Sequence, residues 1–291
     1  MNAHKWLGLS LVIGLALTGC SAPSADSPAA GSTPSPTPTN SYPSVETLGI
    51  EGWSTVDAIN WAPPADPVAG WGAADVSALG SLVGNWMKAA TTDPSMWSAT
   101  DPIAAVDIIA GAMPPVIGNG YRDWRLANQP LILAGDGWSF TPGVTMLDSR
   151  HDLGWDFKTD LMSDGETGAL TATAVLKSAW LLQEGAEEPV WAMTVREVYY
   201  TSATPSSVET GRRTWNSVAF TVNADHCDFM GTGQIAPSYY RPTEPDTFLA
   251  LTEPAAGTFM TVEDLQAELG ERADAKAAED PTSTPEPLPA C

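Results

Sequence analysis

The hydrophobic period of this chain changes once, near Gln129, from a helical repeat to an extended one. Before that point, Val76, Leu79, Leu82, Val83, Trp86 and Met87 follow a 3.6-residue spacing behind Asp75, read as the N-cap. This helix should stop near Thr91-Thr92. Asp93-Pro94 and Asp101-Pro102 each place a capping carboxylate before a proline suited to the first helical position. The second opens a helix with Ile103, Val106, Ile109, Ala110 and Met113 facing inward, ended by Pro114-Pro115. Gly118-Asn119-Gly120 reads as a turn, and Tyr121–Asn128 as a short helix or a loop.

Beyond Gln129 the expected strands are Leu131–Ala134, Trp138–Thr141, Val144–Ser149, Ala169–Leu182, Val190–Tyr200 and Thr214–Val222. Gly135-Asp136-Gly137, Asp164-Gly165, Glu184-Gly185-Ala186 and Thr204-Pro205-Ser206 separate them as turns. In the Val190 strand, Trp191, Met193, Val195 and Tyr199 alternate with Ala192, Thr194, Arg196 and Tyr200, which predicts one packed face and one wet face. Thr261-Val262-Glu263-Asp264 has the form of a capping box with Asp in place of Glu, ahead of Leu265 and Leu269. Helices first and antiparallel strands afterwards give an α+β class, with N-terminal helices packed on a curled antiparallel sheet. This order of elements resembles the NTF2-like or cystatin-like roll over roughly residues 73–230. A β-sandwich with appended helices is the alternative. The resemblance implies a ligand cone between helix and sheet, lined by aromatics of the Trp86 helix and the Trp191 strand.

The first 20 residues carry an address. Lys5 precedes an apolar run, Trp6–Leu17, that is too short for the roughly 20 residues a membrane-spanning helix needs. Leu17-Thr18-Gly19-Cys20 follows at once. That stretch resembles the lipobox of bacterial lipoproteins, which implies a diacylglycerol on the Cys20 thiol and cleavage before it. Two acyl chains would hold the mature chain stably on the extracytoplasmic face of the cell membrane. Residues 1–19 are then a signal peptide and 20–44 an acylated cysteine with a Pro/Ser/Thr-rich disordered linker. Residues 45–270 form a single α+β domain, and 271–291 an acidic, Pro-rich tail. Within the linker, residues 21–44 hold one charge, Asp26, and no aliphatic larger than Ala, so they cannot offset their own ordering entropy.

The chain has 35 acidic and 13 basic residues, a net charge of −22. Such a surface repels phosphate backbones and excludes nucleic acid as a partner. Acidity, scarce lysine and an Ala/Trp/Gly/Asp-rich composition point to a high-GC, actinobacterial source. Eleven of the 12 tryptophans lie beyond the signal, which argues for a packed interior. Three cysteines are present. With Cys20 acylated, Cys227 and Cys291 form an even pair in an oxidising compartment, open to a disulfide or to two free thiols.

Catalytic signals are sparse. His151 sits in Asp148-Ser149-Arg150-His151-Asp152, where an extended backbone puts Asp148, Arg150 and Asp152 on one face and His151 on the other. A histidine beside carboxylates can act as a general base, so His151 is the single catalytic candidate, set against a surface cluster of local ion pairs. His226 and Cys227 lack partners at zinc spacing, and the four-residue recurrence of Asp148, Asp152, Asp156 and Asp160 matches no calcium loop. Gly118-Asn119-Gly120 lacks the setting of a dinucleotide fingerprint, and no nucleophile elbow or Walker loop occurs. No metal or cofactor is therefore expected. The reading is a lipid-anchored module binding a small apolar ligand or an envelope protein; an acid–base enzyme of the same architecture is the alternative.

Overall fold

The computed structural model describes residues 42–68, 70–128, 136–159, 168–204, 208, 213–225, 229, 232–238, 245–252 and 256–279. Helices α1 (Ala73–Thr91), α2 (Pro94–Trp97), α3 (Pro102–Ala112) and α4 (Pro115–Ala127) precede the main sheet. The short strand β1 (Ser139–Phe140) leads into β2 (Val144–Thr159), β3 (Leu170–Glu184), β4 (Val190–Ser202) and β5 (Arg213–Val222). These last four strands form an antiparallel meander in the order β2-β3-β4-β5. β1 pairs in parallel with β6 (Gln234–Ile235), and α5 (Pro245–Thr252) and α6 (Val262–Glu279) follow.

Helix boundaries follow local chemistry. The Asp93 and Asp101 carboxylates accept hydrogen bonds from Ser95 N–H at 2.8 Å and Ile103 N–H at 2.9 Å, capping α2 and α3 as expected. Thr261 and Asp264 bond reciprocally at the start of α6, so the Asp-for-Glu capping box works. Asp75 corrects the expectation: the cap of α1 lies three residues earlier, at Gly72, and Asp75 sits in its first turn. Ile103 is a second correction, since it is 44 % exposed while Val106 and Ile109 are buried. The third is Gly118-Asn119-Gly120, which lies inside α4 and not in a turn. A Cβ at Gly118 would stand 2.1 Å from the Ala110 carbonyl oxygen, so glycine is there to let α4 close on α3.

The α+β reading stands, but both faces of the meander are covered. Leu170, Ala172, Ala174 and Leu176 of β3 and Val198 and Tyr200 of β4 pack against Val76, Leu79, Val83, Trp86 and Met87 of α1. On the opposite face, Val175, Ala179, Leu181, Trp191, Met193 and Val195 meet Leu48, Ile50, Trp53, Phe248, Leu251 and Leu265. β4 therefore has no wet face: Thr194 and Arg196 are fully buried and Tyr200 is 2 % exposed. Alternation predicted a solvated side because it cannot register that α1, roughly a hundred residues upstream, lies over it.

Small residues decide how closely α1 approaches. A Cβ on Gly80 would meet Pro63 Cβ at 2.5 Å and Phe157 Cζ at 2.9 Å. One on Gly84 would meet Trp155 Cη2 and the Trp61 carbonyl oxygen, each at 3.3 Å. The helix thus presents a bare stripe on which the stacked pair Trp155–Phe157 and residues 61–63 rest. Strand β2 runs ten residues beyond its expected end, with a register shift between Met146 and Asp148. The β3–β4 turn is as expected, with Gly185 at φ +58° and a Glu187 N–H bond to the Glu184 carbonyl at 3.1 Å.

Candidate functional site

Among the described residues, three polar centres lie inside the structure, and each is closed. His151 points to the α1 side of the sheet and is 2 % exposed. Its Nδ1 lies 2.9 Å from the Ser178 hydroxyl and its Nε2 3.1 Å from the Ser149 hydroxyl. The ring meets Trp180 edge-on at 4.9 Å. Burial, with Arg150 adding to it, holds its pKa down at about 3, so the imidazole is neutral and its proton is shared only with hydroxyls. The expected surface cluster is also absent at this point. Asp148 does pair with Arg150 and Asp156 with Lys158, but Asp152 turns inward.

Asp152 and Lys177 form the second centre, on the other face. Their 2.7 Å ion pair is 4–3 % exposed at the side chains, and Asp152 also accepts Gly257 N–H at 2.6 Å. Lys177 Nζ donates to the Leu251 carbonyl at 3.2 Å and lies over the Trp53 ring at 5.3 Å. The pair ties α5, the 257 loop and the N-terminal segment onto the sheet.

The third centre fills the space where the roll resemblance placed a ligand cone. Arg196 lies between the Trp138 ring, 4.3 Å from its guanidinium carbon, and the Trp86 ring at 5.6 Å, and donates to the Ser217 hydroxyl at 2.8 Å. Complete burial lowers its pKa to about 10, with Asp136 opposing the shift. Asp136, fully buried, takes both Arg125 Nε at 2.6 Å and Nη2 at 2.5 Å, and the Tyr121 hydroxyl at 2.8 Å. Burial and the Asp136 charge raise the Tyr121 pKa, so its hydroxyl stays a donor. Trp86 and Trp191, the expected cone lining, face opposite sides of the sheet and are both core. Sequence reading missed Asp136 because Gly-Asp-Gly is a turn signature. Here Gly137 is needed for contact: its Cβ would sit 2.4 Å from Met96 Sδ.

Among the described residues, a groove of about 400 Å³ opens at the C-terminal end of α1. Val56, Asp57, Ile59 and Trp61 form one wall, and Lys88, Thr92, Pro94 and Trp97 the other. Trp97 is fixed in place. Its indole N–H donates to the Thr91 carbonyl at 2.9 Å, and its ring packs edge-on to Trp180 at 6.0 Å. The Thr92 hydroxyl is committed to the Lys88 carbonyl at 3.1 Å. Lys88 and Asp57 are exposed at the rim and make no ion pair with each other or with any other described residue. Every other described basic side chain has an acidic or aromatic partner. The groove therefore offers two indoles, one ammonium and one carboxylate to whatever enters it, within the size range of small-ligand sites.

Among the described residues there is no group of three or more His, Cys, Asp or Glu that could hold a metal ion, and no helix long and apolar enough to cross a membrane. Cys20, Cys227, Cys291 and His226 lie outside the described residues, as does Leu131–Ala134. No family model, curated protein or solved structure matches the chain.

Proposed function

We propose that this is a lipid-anchored extracytoplasmic protein, held on the membrane through Cys20, whose α+β domain binds a small ligand in the groove between Trp61 and Trp97. The observation that carries the binding reading is the groove itself, with its two indoles and its unpaired Lys88 and Asp57. The anchor rests on Leu17-Thr18-Gly19-Cys20 and on the Pro-rich run that follows it, whose one charge is Asp26. Helices ahead of a meander, with α1 across β3 and β4, support kinship with NTF2-like or cystatin-like rolls, the interior being filled by Trp86, Trp138 and Arg196. An acid–base enzyme working through His151 is disfavoured, because the imidazole is sealed between two hydroxyls and Trp180.

The test is native mass spectrometry of the protein taken from its own envelope. A co-purifying small molecule that is lost in Trp61→Ala supports the groove as its site. A ligand retained in that variant, or a bare protein in every preparation, removes this reading and turns attention to partner proteins.

A further inference from the structure

Both walls of the groove are held from behind. Ser54 and His151 exchange backbone hydrogen bonds at 2.9 and 2.8 Å, which pin the chain to β2 just ahead of the 3-10 turn Val56–Ala58 that carries Asp57. Asn60 steadies the way out of that turn, its side-chain carbonyl accepting Ala62 N–H at 3.2 Å. The other wall is the end of α1 and the start of α2. There Thr92 N–H donates to the Lys88 carbonyl at 2.9 Å, and the Asp93 cap sets the turn that carries Pro94 and Trp97. A ligand therefore meets a shape that already exists, which lowers the ordering cost of binding.

Charge is divided between these walls. Asp57 belongs to the Trp61 side and Lys88 to the Trp97 side, and both line the same space. A neutral sugar would stack on the two indoles and use neither charge. An anion would gain Lys88 but meet Asp57 and the chain's net charge of −22. A cation would gain Asp57 and the indole faces but meet Lys88 on the facing wall. A molecule with an ammonium at one end and a carboxylate at the other satisfies both walls, its apolar part lying between the indoles. The volume of about 400 Å³ is at the small end of the range for ligand sites, which suits a compact zwitterion.

We infer that the groove takes free amino acids or dipeptides, with the ligand carboxylate on Lys88 and its ammonium on Asp57 beside Trp61. The inference rests on reading the groove as a ligand site and names the chemical class that the site accepts.

The test is equilibrium dialysis of the full mature chain in detergent against a mixture of the common amino acids, apolar dipeptides, cellobiose and maltose. Mass spectrometry then quantifies each compound on both sides of the membrane. An amino acid or dipeptide should be enriched with the protein, and neither disaccharide should be. The enriched compound is next compared with its N-acetyl form, which lacks the ammonium, and its C-terminal amide, which lacks the carboxylate. Lys88→Gln should weaken the parent compound about threefold, the scale of one exposed ion pair, and leave the amide unchanged. Asp57→Asn should weaken the parent compound by a similar factor and leave the N-acetyl form unchanged. Both side chains are exposed, so both variants should melt as the parent protein does. Enrichment of no amino compound, enrichment of a disaccharide in its place, or equal effects of Lys88→Gln on the parent compound and its amide would each overturn the zwitterion assignment. A disaccharide bound by the parent protein and lost in Trp61→Ala would leave the groove standing as a ligand site of another class. Any bound compound that Trp61→Ala retains would instead remove the groove itself.

Discussion

At the scale of single residues, the buried ionisable groups act as fasteners, and their removal has a calculable sign. Lys177→Met leaves Asp152 charged and 5 % exposed in the core, and an uncompensated buried charge costs about 3–5 kcal/mol. Replacing both, Lys177→Met with Asp152→Leu, should recover most of that loss; urea unfolding of the two variants checks it. His151 sets a pH window. Its folded pKa, about 3, lies below the ordinary 6.5, so between those values the unfolded chain binds a proton that the folded chain refuses. The stability it supports is full above pH 6.5 and declines as pH falls, by up to about 1.4 kcal/mol per unit. His151→Gln keeps hydrogen-bonding capacity for Ser149 and Ser178 but cannot titrate. Its unfolding free energy should therefore depend less steeply on pH between 6.5 and 4 than that of the parent, with the carboxylates common to both.

At the scale of elements, glycine placement in the helices separates contact from convenience. Gly80→Ala drives a methyl to 2.5 Å from Pro63 and 2.9 Å from Phe157, and should cost about 1–3 kcal/mol by overpacking. Gly120→Ala, in the interior of α4 with nothing within 4 Å of the new methyl, should instead stabilise by roughly 0.5–1 kcal/mol. Thermal melts of the two variants should move in opposite directions. The same contrast explains what could be read at this scale. The six apolar positions of α1 and the two Asp-Pro caps were legible because they depend on neighbours within one or two turns. Gly118 was misread as a turn residue because it is required by a contact with another element, Ala110 of α3, and the contact of Gly137 with Met96 of α2 was equally invisible to the sequence.

At the scale of the whole molecule, the N-terminal end of the described chain is tied to the sheet. The Trp191 indole N–H donates to the Pro43 carbonyl at 3.0 Å, which fixes where the linker leaves the structured part. If the lipid is on Cys20, Cys20→Ser should move the protein from the membrane fraction to the soluble one without changing its thermal melt. A membrane-bound Cys20→Ser protein would refute the anchor. Helices α1 to α3, strands β3 to β5 and the α+β class were written in the sequence by itself, because period and caps are set by covalently near residues. Tertiary structure alone decided that β4 has two dry faces and that His151 is sealed. It also buried Asp136 of a Gly-Asp-Gly sequence and put an open groove at the end of α1, outside the expected cone. Each of these depends on segments far apart in sequence meeting across the sheet, and period carries no information about what will come to lie on a face.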